Sequence, residues 1–295
     1  MADETQETEV KTPPPKREPT IHDDVRVPVF GHSTQDFKLP CGYVDEDGEV
    51  HNHVTLKQMT GTHEDMMANT KLVVTERISN ILSSCCTRIG DITNKGVIRA
   101  AIEDKVKAPC LSLTAADRLA MLLFLRIVSV GEEYRFDCHC PYCDGENKGK
   151  SLDLSGLDIK YVGDPTKRLA EITLPKSKVN VTLKILTARG ETRVSKLRPD
   201  AEDARTLAML TRIVSLNGKK LSRNIKENIS LLRDMPYQDR TYIRKVFDIM
   251  EGAVDTDVEV QCTSCSKWFK FSLDLGQVFF SQTENTVSPD QIKWK

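Results

Sequence analysis

Two Cys-x-x-Cys motifs, Cys140–Cys143 and Cys262–Cys265, constrain the fold of this chain more than any other feature. Each motif follows a short β-like stretch and precedes a Leu-Asp-Leu segment, so each is predicted to be a strand–turn–strand knuckle. Two such knuckles supply four thiolates, the ligand set of a closed tetrahedral zinc site. Two intervening residues allow both sulfurs of one turn to reach an ion at a Zn–S distance of about 2.3 Å. The sequence therefore predicts one zinc-ribbon-like site with four cysteine ligands, Cys140, Cys143, Cys262 and Cys265.

The other cysteines are predicted to be free thiols outside this site. The chain has nine cysteines and opens MADETQETEVK, which is acidic and polar where an export signal would be basic and then apolar. A reducing compartment is therefore expected, and an odd count argues against a complete disulfide set. Cys138 aligns with Val260 of the second motif and is interpreted as a strand residue. The remaining four lack ligand spacing and are interpreted as small core or surface residues: Cys41, Cys85, Cys86 and Cys110.

Alternative chemistry for the paired motifs is disfavoured. A thiol oxidoreductase places its Cys-x-x-Cys at a helix N-terminus, whereas both motifs here lie between predicted strands. A catalytic zinc ion keeps an open coordination position, but four cysteines close the site. The phosphate-binding and nucleophile motifs GxxxxGK[ST], GxGxxG and GxSxG are absent from the sequence. We therefore expect no catalytic and no organic cofactor-binding residues, and a protein that is not an enzyme. The alternating His51-Asn52-His53 is expected to face solvent.

The order of short motifs indicates a tandem duplication. VTLK occurs at 54–57 and again at 181–184, an offset of 127 (181 − 54). Each VTLK follows a Leu-Pro segment, and Asp-Arg stands 23 residues before each Cys-x-x-Cys (140 − 117 and 262 − 239). Four landmarks in one order predict an α+β fold, in which a unit of β-hairpin, helices and zinc knuckle occurs twice and the two copies share one four-cysteine zinc site. The first repeat is assigned to 29–163 and the second to 164–276.

Helical periodicity and capping signals place the helices between hairpin and knuckle. Thr114 stands three residues before Asp117, a variant of the capping box. The helices are expected at roughly 63–86, 92–105, 114–130, 189–197, 200–215, 221–233 and 236–250.

Composition limits the classes of partner. With 42 basic and 43 acidic residues the net charge is −1, so the basic excess typical of nucleic-acid binding is missing. The most apolar run, 119–130, is about a dozen residues long, short of the roughly 20 that span a bilayer, and no membrane insertion is expected. The acidic, proline-containing segment 1–28 is predicted to be a disordered or extended arm. Residues 277–295 are predicted to be a loosely packed polar tail, in which Phe279, Phe280 and Trp294 are the candidates for docking.

A resemblance to a known family narrows the function. The hairpin FKLPCGYVDEDGEVHNHVTLKQMTGTHED, the helix ADRLAMLLFLRIVSVGEEYRF and the CPYC knuckle resemble the T4-like phage baseplate hub assembly chaperone family over roughly residues 35–275. The resemblance implies a non-enzymatic protein of a contractile-tail bacteriophage that assembles the baseplate hub or forms part of it. It implies other tail proteins as partners, in the host cytoplasm during assembly or in the virion baseplate. The alternative is a zinc-ribbon nucleic-acid-binding protein of the transcription type, favoured by the basic stretches 218–226 and 267–270.

Overall fold

A computed structural model describes residues 33–106, 108, 111–197, 201–273 and 279–280. The predicted arm 1–28, Cys110 and most of the predicted tail lie outside the described residues. The predicted α+β class is confirmed, since the described chain combines groups of helices with antiparallel strands. Within the described ranges, none of the helices has the length and apolar character needed to cross a membrane.

The first half begins with a hairpin and ends with a knuckle. Its strands are β1 (Thr34–Val44), β2 (Val50–Lys57), β3 (Cys86–Ile89), β4 (Glu133–His139), β5 (Glu146–Asp153) and β6 (Ile159–Lys160). Its helices are α1 (Gly61–Ala68), α2 (Val74–Cys85), α3 (Lys95–Ile102) and α4 (Ala115–Val130). The predicted capping box at the start of α4 is confirmed, because Thr114 Oγ1 accepts from the Asp117 amide and the Asp117 carboxylate accepts from the Thr114 amide.

The second half has a similar order of elements. Its strands are β7 (Leu169–Thr173), β8 (Asn180–Lys184), β9 (Ile213–Leu216), β10 (Lys219–Lys220), β11 (Ala253–Val254), β12 (Asp257–Gln261) and β13 (Trp268–Ser272). Its helices are α5 (Ala188–Leu197), α6 (Ala201–Leu210), α7 (Ile225–Arg233) and α8 (Tyr237–Met250). It has one added strand, β10, and its short strand β11 precedes the knuckle, whereas β6 follows the knuckle in the first half. The halves are joined by a short antiparallel pairing of β6 with β11.

Each half builds its sheet in the same register. The strand order is β1-β2-β3 in the first sheet and β10-β9-β8-β7 in the second. In each sheet the second hairpin strand pairs with the short strand that follows the first two helices, β2 with β3 and β8 with β9. Each residue pair in the second sheet lies 127 positions after its counterpart in the first, and the register shifts at the same point. The pairs are Val54–Ile89, Thr55–Arg88 and Leu56–Cys86 in the first sheet, and Val181–Leu216, Thr182–Ser215 and Leu183–Ile213 in the second.

Two of the predicted helices extend too far. The helix expected over 200–215 ends at Leu210, and residues from Ile213 onward form β9. The helix expected over 63–86 is broken between α1 and α2, where the Asn69 side chain accepts from the Lys71 amide and closes a turn. It also ends before β3, which begins at Cys86. In both halves the short strand gains ladder hydrogen bonds and burial against the hairpin, and these tertiary contacts outweigh helical propensity.

The hydrophobic core is divided unequally between the halves. One cluster holds the first hairpin, α2–α4 and also apolar residues of both knuckles. The second cluster holds residues of the second hairpin, Ile213 of β9 and residues of α6–α8. Helix α4 lies at the centre of the first cluster, with every residue from Ala120 to Arg126 buried. Phe279 is fully buried there, in the segment for which a loosely packed tail is expected, and its carbonyl accepts from Arg126 Nε at 2.9 Å.

Candidate metal centre

The two Cys-x-x-Cys turns face each other across the junction of the knuckles. Cys140 Sγ lies 3.7 Å from Cys265 Sγ, and Cys143 Sγ lies 3.7 Å from Cys262 Sγ. All four sulfurs are within 4.8 Å of one another. A tetrahedron with Zn–S bonds of about 2.3 Å has S–S edges of about 3.8 Å. The four thiols therefore lie together in an arrangement that can bind a metal ion of this size.

The backbone of both turns orients the sulfurs in the same way. In each turn the amide of the first cysteine donates to the carbonyl of the residue five positions later. The carbonyl of the same cysteine accepts from the amide of the residue four positions later. The residue after the second cysteine has a positive φ, 55° at Asp144 and 58° at Ser266. Aspartate tolerates this left-handed conformation better than most side chains. Ser266 adopts it too, because the tight turn requires it in both knuckles.

Backbone amides also point at one of the sulfurs. The Ser264 and Cys265 N–H groups approach Cys262 Sγ at 3.3 and 3.5 Å. Hydrogen bonds from the Cys265 and Ser264 amides, in that order of effect, lower the pKa of the Cys262 thiol to about 6. Donors of this kind favour the thiolate, which is the form that binds metals. The amides of this turn therefore favour the thiolate form of Cys262.

Asn147 joins the two knuckles and was missed by the sequence reasoning. It is 0% exposed, and its Oδ1 accepts from the Thr263 amide at 2.8 Å. Its Nδ2 donates to the Gly145 carbonyl at 3.0 Å and lies 3.9 Å from Cys262 Sγ. The position of Asn147 is a signal for such a role. Asn147 pairs with buried Cys138 on β4, and the corresponding residue of the second knuckle is the apolar Phe269 (147 + 122). A polar residue on a buried strand position needs a buried partner.

The remaining described cysteines are packed in the interior. Burial raises the pKa of Cys41 to about 11 and that of Cys85 and Cys86 to about 12. Burial also raises the pKa of Cys138, whose side chain lies outside the four-sulfur cluster. Thiols held protonated in this way pack as small apolar groups and are poor nucleophiles.

A second group of possible ligands, Asp45, Glu49 and His51, lies at the first hairpin turn. The expectation that His51 faces solvent is wrong: it is 7% exposed, and its Nε2 lies 3.1 Å from Asp45 Oδ2. The hydrogen bond with His51, followed by the Glu49 amide, lowers the pKa of Asp45. Asp45 Oδ1 already accepts from the Glu49 amide at 2.8 Å. These contacts fasten the turn, and they leave the four-cysteine cluster as the candidate metal centre.

Comparison with protein families gives one match across both knuckles. The family model described as T4 bacteriophage base plate protein matches residues 44–281, which is most of the chain and includes all four clustered cysteines. Comparison with curated proteins and with solved structures finds no match.

Proposed function

Because the chain belongs to the T4 bacteriophage base plate protein family, we propose that it acts without catalysis in assembling the baseplate hub of a contractile-tail bacteriophage, or as a component of that hub. The observation that carries the proposal is the family match over residues 44–281. Its partners would be other tail proteins, bound in the host cytoplasm during assembly or in the baseplate of the virion.

The four clustered cysteines supply the second part of the proposal, a structural zinc ion. Cys140, Cys143, Cys262 and Cys265 would all be ligands, so no coordination position is left for substrate or water. The ion would hold the two knuckles together, and both knuckles contribute to the first hydrophobic core. Structural zinc sites of this type contribute about 10–16 kcal/mol of apparent binding free energy to the folded state. Such a site would keep the surfaces of the two halves in a fixed orientation.

We also propose that the halves arose by tandem duplication, with the repeats at 29–163 and 164–276. The shared register of the two sheets supports this, and so do contacts that recur between them. In each half the aspartate in the first turn of the last helix accepts two successive amides after the Leu-Pro segment. These are Cys41 and Gly42 for Asp117, and Lys176 and Ser177 for Asp239.

Purification of the tagged chain from infected cells tests the proposed role. We expect phage tail proteins to accompany it, identified by mass spectrometry, and the same preparation to carry zinc. Mature virions probed in parallel separate a hub component, which is retained, from an assembly chaperone, which is not. If no tail protein accompanies the chain and it shifts random DNA or RNA in a salt-sensitive way, the nucleic-acid alternative is favoured instead.

Replacing Asn147 by alanine should weaken zinc binding by about 10–100-fold, the range found when outer-shell partners of metal ligands are removed. The change removes the bond to the Thr263 amide and the donor beside Cys262 Sγ. Competition with a chromogenic chelator measures the affinity. Lys148→Ala, one residue along on the exposed face of β5, is the matched control and should bind zinc as the wild type does. Equal affinity of Asn147→Ala and wild type would contradict the assigned role.

A further inference from the structure

In the contact between the two halves, each half uses a different surface. In the first half, Arg118 near the start of α4 is 3% exposed and its guanidinium pairs with Glu191 in the first turn of α5. Close by, the Ala115 amide donates to the Leu186 carbonyl at 2.9 Å. The first half thus presents the N-terminal end of α4, and the second half presents the N-terminal end of α5.

The counterpart contact is not made within the molecule. The residue corresponding to Arg118 is Arg240 (118 + 122), and the residue corresponding to Glu191 is Glu64 (191 − 127). Arg240 donates instead to the Leu232 carbonyl and to Thr206 Oγ1, both at 3.1 Å, while Glu64 is exposed. A twofold contact would form both pairs. The contact between these surfaces is therefore heterologous. Glu64 stays exposed, while Arg240 is half-buried and bonds to α6 and α7 of its own half.

The unused surface on the second half is basic and aromatic. We call it the α8 patch, formed by Tyr237, Arg240 and Arg244 on one face of that helix. Tyr237 is 79% exposed, and the Arg244 guanidinium lies 5.8 Å from the centre of its ring. Tyrosine and arginine are the side chains enriched at the centres of protein interfaces. The corresponding positions of α4 include the buried Arg118 and Leu122. On α8 the face is more open, because Tyr237 and Arg244 are exposed and Arg240 is half-buried.

The unused surface on the first half is acidic. We call it the α1 patch, formed by Thr60, Glu64 and Asp65 at the start of α1. Both carboxylates are exposed. Their helix occupies the same place in the first half as α5 does in the second, where Glu191 already meets an arginine. The α1 patch therefore complements the α8 patch in charge, and the structure already contains one example of the pairing.

We propose that the α8 patch of one molecule binds the α1 patch of a second copy of this chain, so that molecules associate head to tail. Glu64 of one copy would approach Arg240 of the next, as Glu191 approaches Arg118 within the chain. A heterologous contact of this kind yields a closed ring if its rotation closes and a filament if it does not. This inference goes beyond the proposed role in the baseplate. It rests on the proposed duplication, and not on that role.

Light scattering coupled to size-exclusion chromatography tests the association on the full chain. We expect the wild type to show a mass above 33.2 kDa that rises with concentration. Glu64→Arg and Tyr237→Asp, both at exposed positions, should each elute as a monomer. Mixing these two variants should restore a dimer and nothing larger, because each carries one intact patch and caps the other.

Glu46→Arg is the control, since Glu46 is exposed in the hairpin turn at the opposite end of β2 from α1. It should associate as the wild type does, and circular dichroism should show that all three variants are folded. A wild type that stays monomeric at every concentration overturns the proposal. So does an association that Glu64→Arg leaves intact, or a mixture of the two variants that forms no dimer.

Discussion

Stripping the proposed zinc ion from the purified protein, or replacing Cys262 by serine, should unfold the first hydrophobic core. The knuckle carrying Cys262 contributes Val260, Phe269 and Leu273 to that core, so the knuckles are part of its packing. The expected loss is large, because a structural zinc site is worth about 10–16 kcal/mol of apparent free energy. A whole domain is stable by only about 5–15 kcal/mol. Without the ion, four thiols would be left crowded within 4.8 Å of one another.

Elemental mass spectrometry and thermal unfolding measure this effect together. We expect one zinc ion per chain, and a large fall in Tm when a strong chelator is added. Cys140→Ser and Cys262→Ser should be similarly damaging, because each removes one ligand from the same ion. Cys138→Ala is the matched control: its thiol is buried beside the cluster but outside it, so zinc should be retained. A fully folded, metal-free wild type would contradict the zinc assignment, and unequal effects of the two serine variants would indicate separate sites.

The cysteine cluster was accessible from sequence because its determinants are local. A Cys-x-x-Cys turn between two strands directs both sulfurs to one side, whatever the rest of the fold does. Asn147 was not accessible in the same way, since its partners Thr263 and Cys262 are more than a hundred positions away. The short strands β3 and β9 were missed for a related reason. Their residues continue a helical pattern locally, and only pairing with the hairpin turns them into strands.

The unequal division of the core between the two halves has a signal in the amino-acid sequence of helix α4. Helix α4 carries apolar residues on every side, which indicates a helix covered all round. Positions of α8 that correspond to buried residues of α4 are charged, as Arg244 and Lys245 correspond to Leu122 and Leu123. Both knuckles contribute to the core around α4, and α8 keeps one face exposed. Helices in corresponding places of the two halves can therefore have different surroundings, because only the helix with apolar residues on all faces is stabilised by being enclosed.

The same asymmetry predicts that Asp117→Ala is far more damaging than Asp239→Ala. The Asp117 carboxylate is 0% exposed and accepts from the Cys41 and Gly42 amides at 2.7 and 3.0 Å. It also accepts from the amide and hydroxyl of Thr114 at 3.0 and 2.9 Å, which caps α4. Alanine would leave these buried donors without an acceptor. Since a hydrogen bond to a charged group is worth about 1.5–3 kcal/mol, we expect a loss of about 4 kcal/mol or more.

Asp239 is buried as well, but its carboxylate accepts from the residues after the Leu-Pro pair, through the amides of Lys176 and Ser177 at 2.8 and 2.9 Å and the Ser177 side chain. Those two residues are exposed, so water can replace the lost acceptor, and α8 has no side-chain cap to lose. Urea unfolding followed by circular dichroism compares the two alanine variants. Asp117→Asn, which keeps one acceptor oxygen, should fall between Asp117→Ala and the wild type. Equal losses for the two alanine variants would mean that both Leu-Pro contacts are equally shielded from water and that the Thr114 cap adds nothing to the stability of the first half.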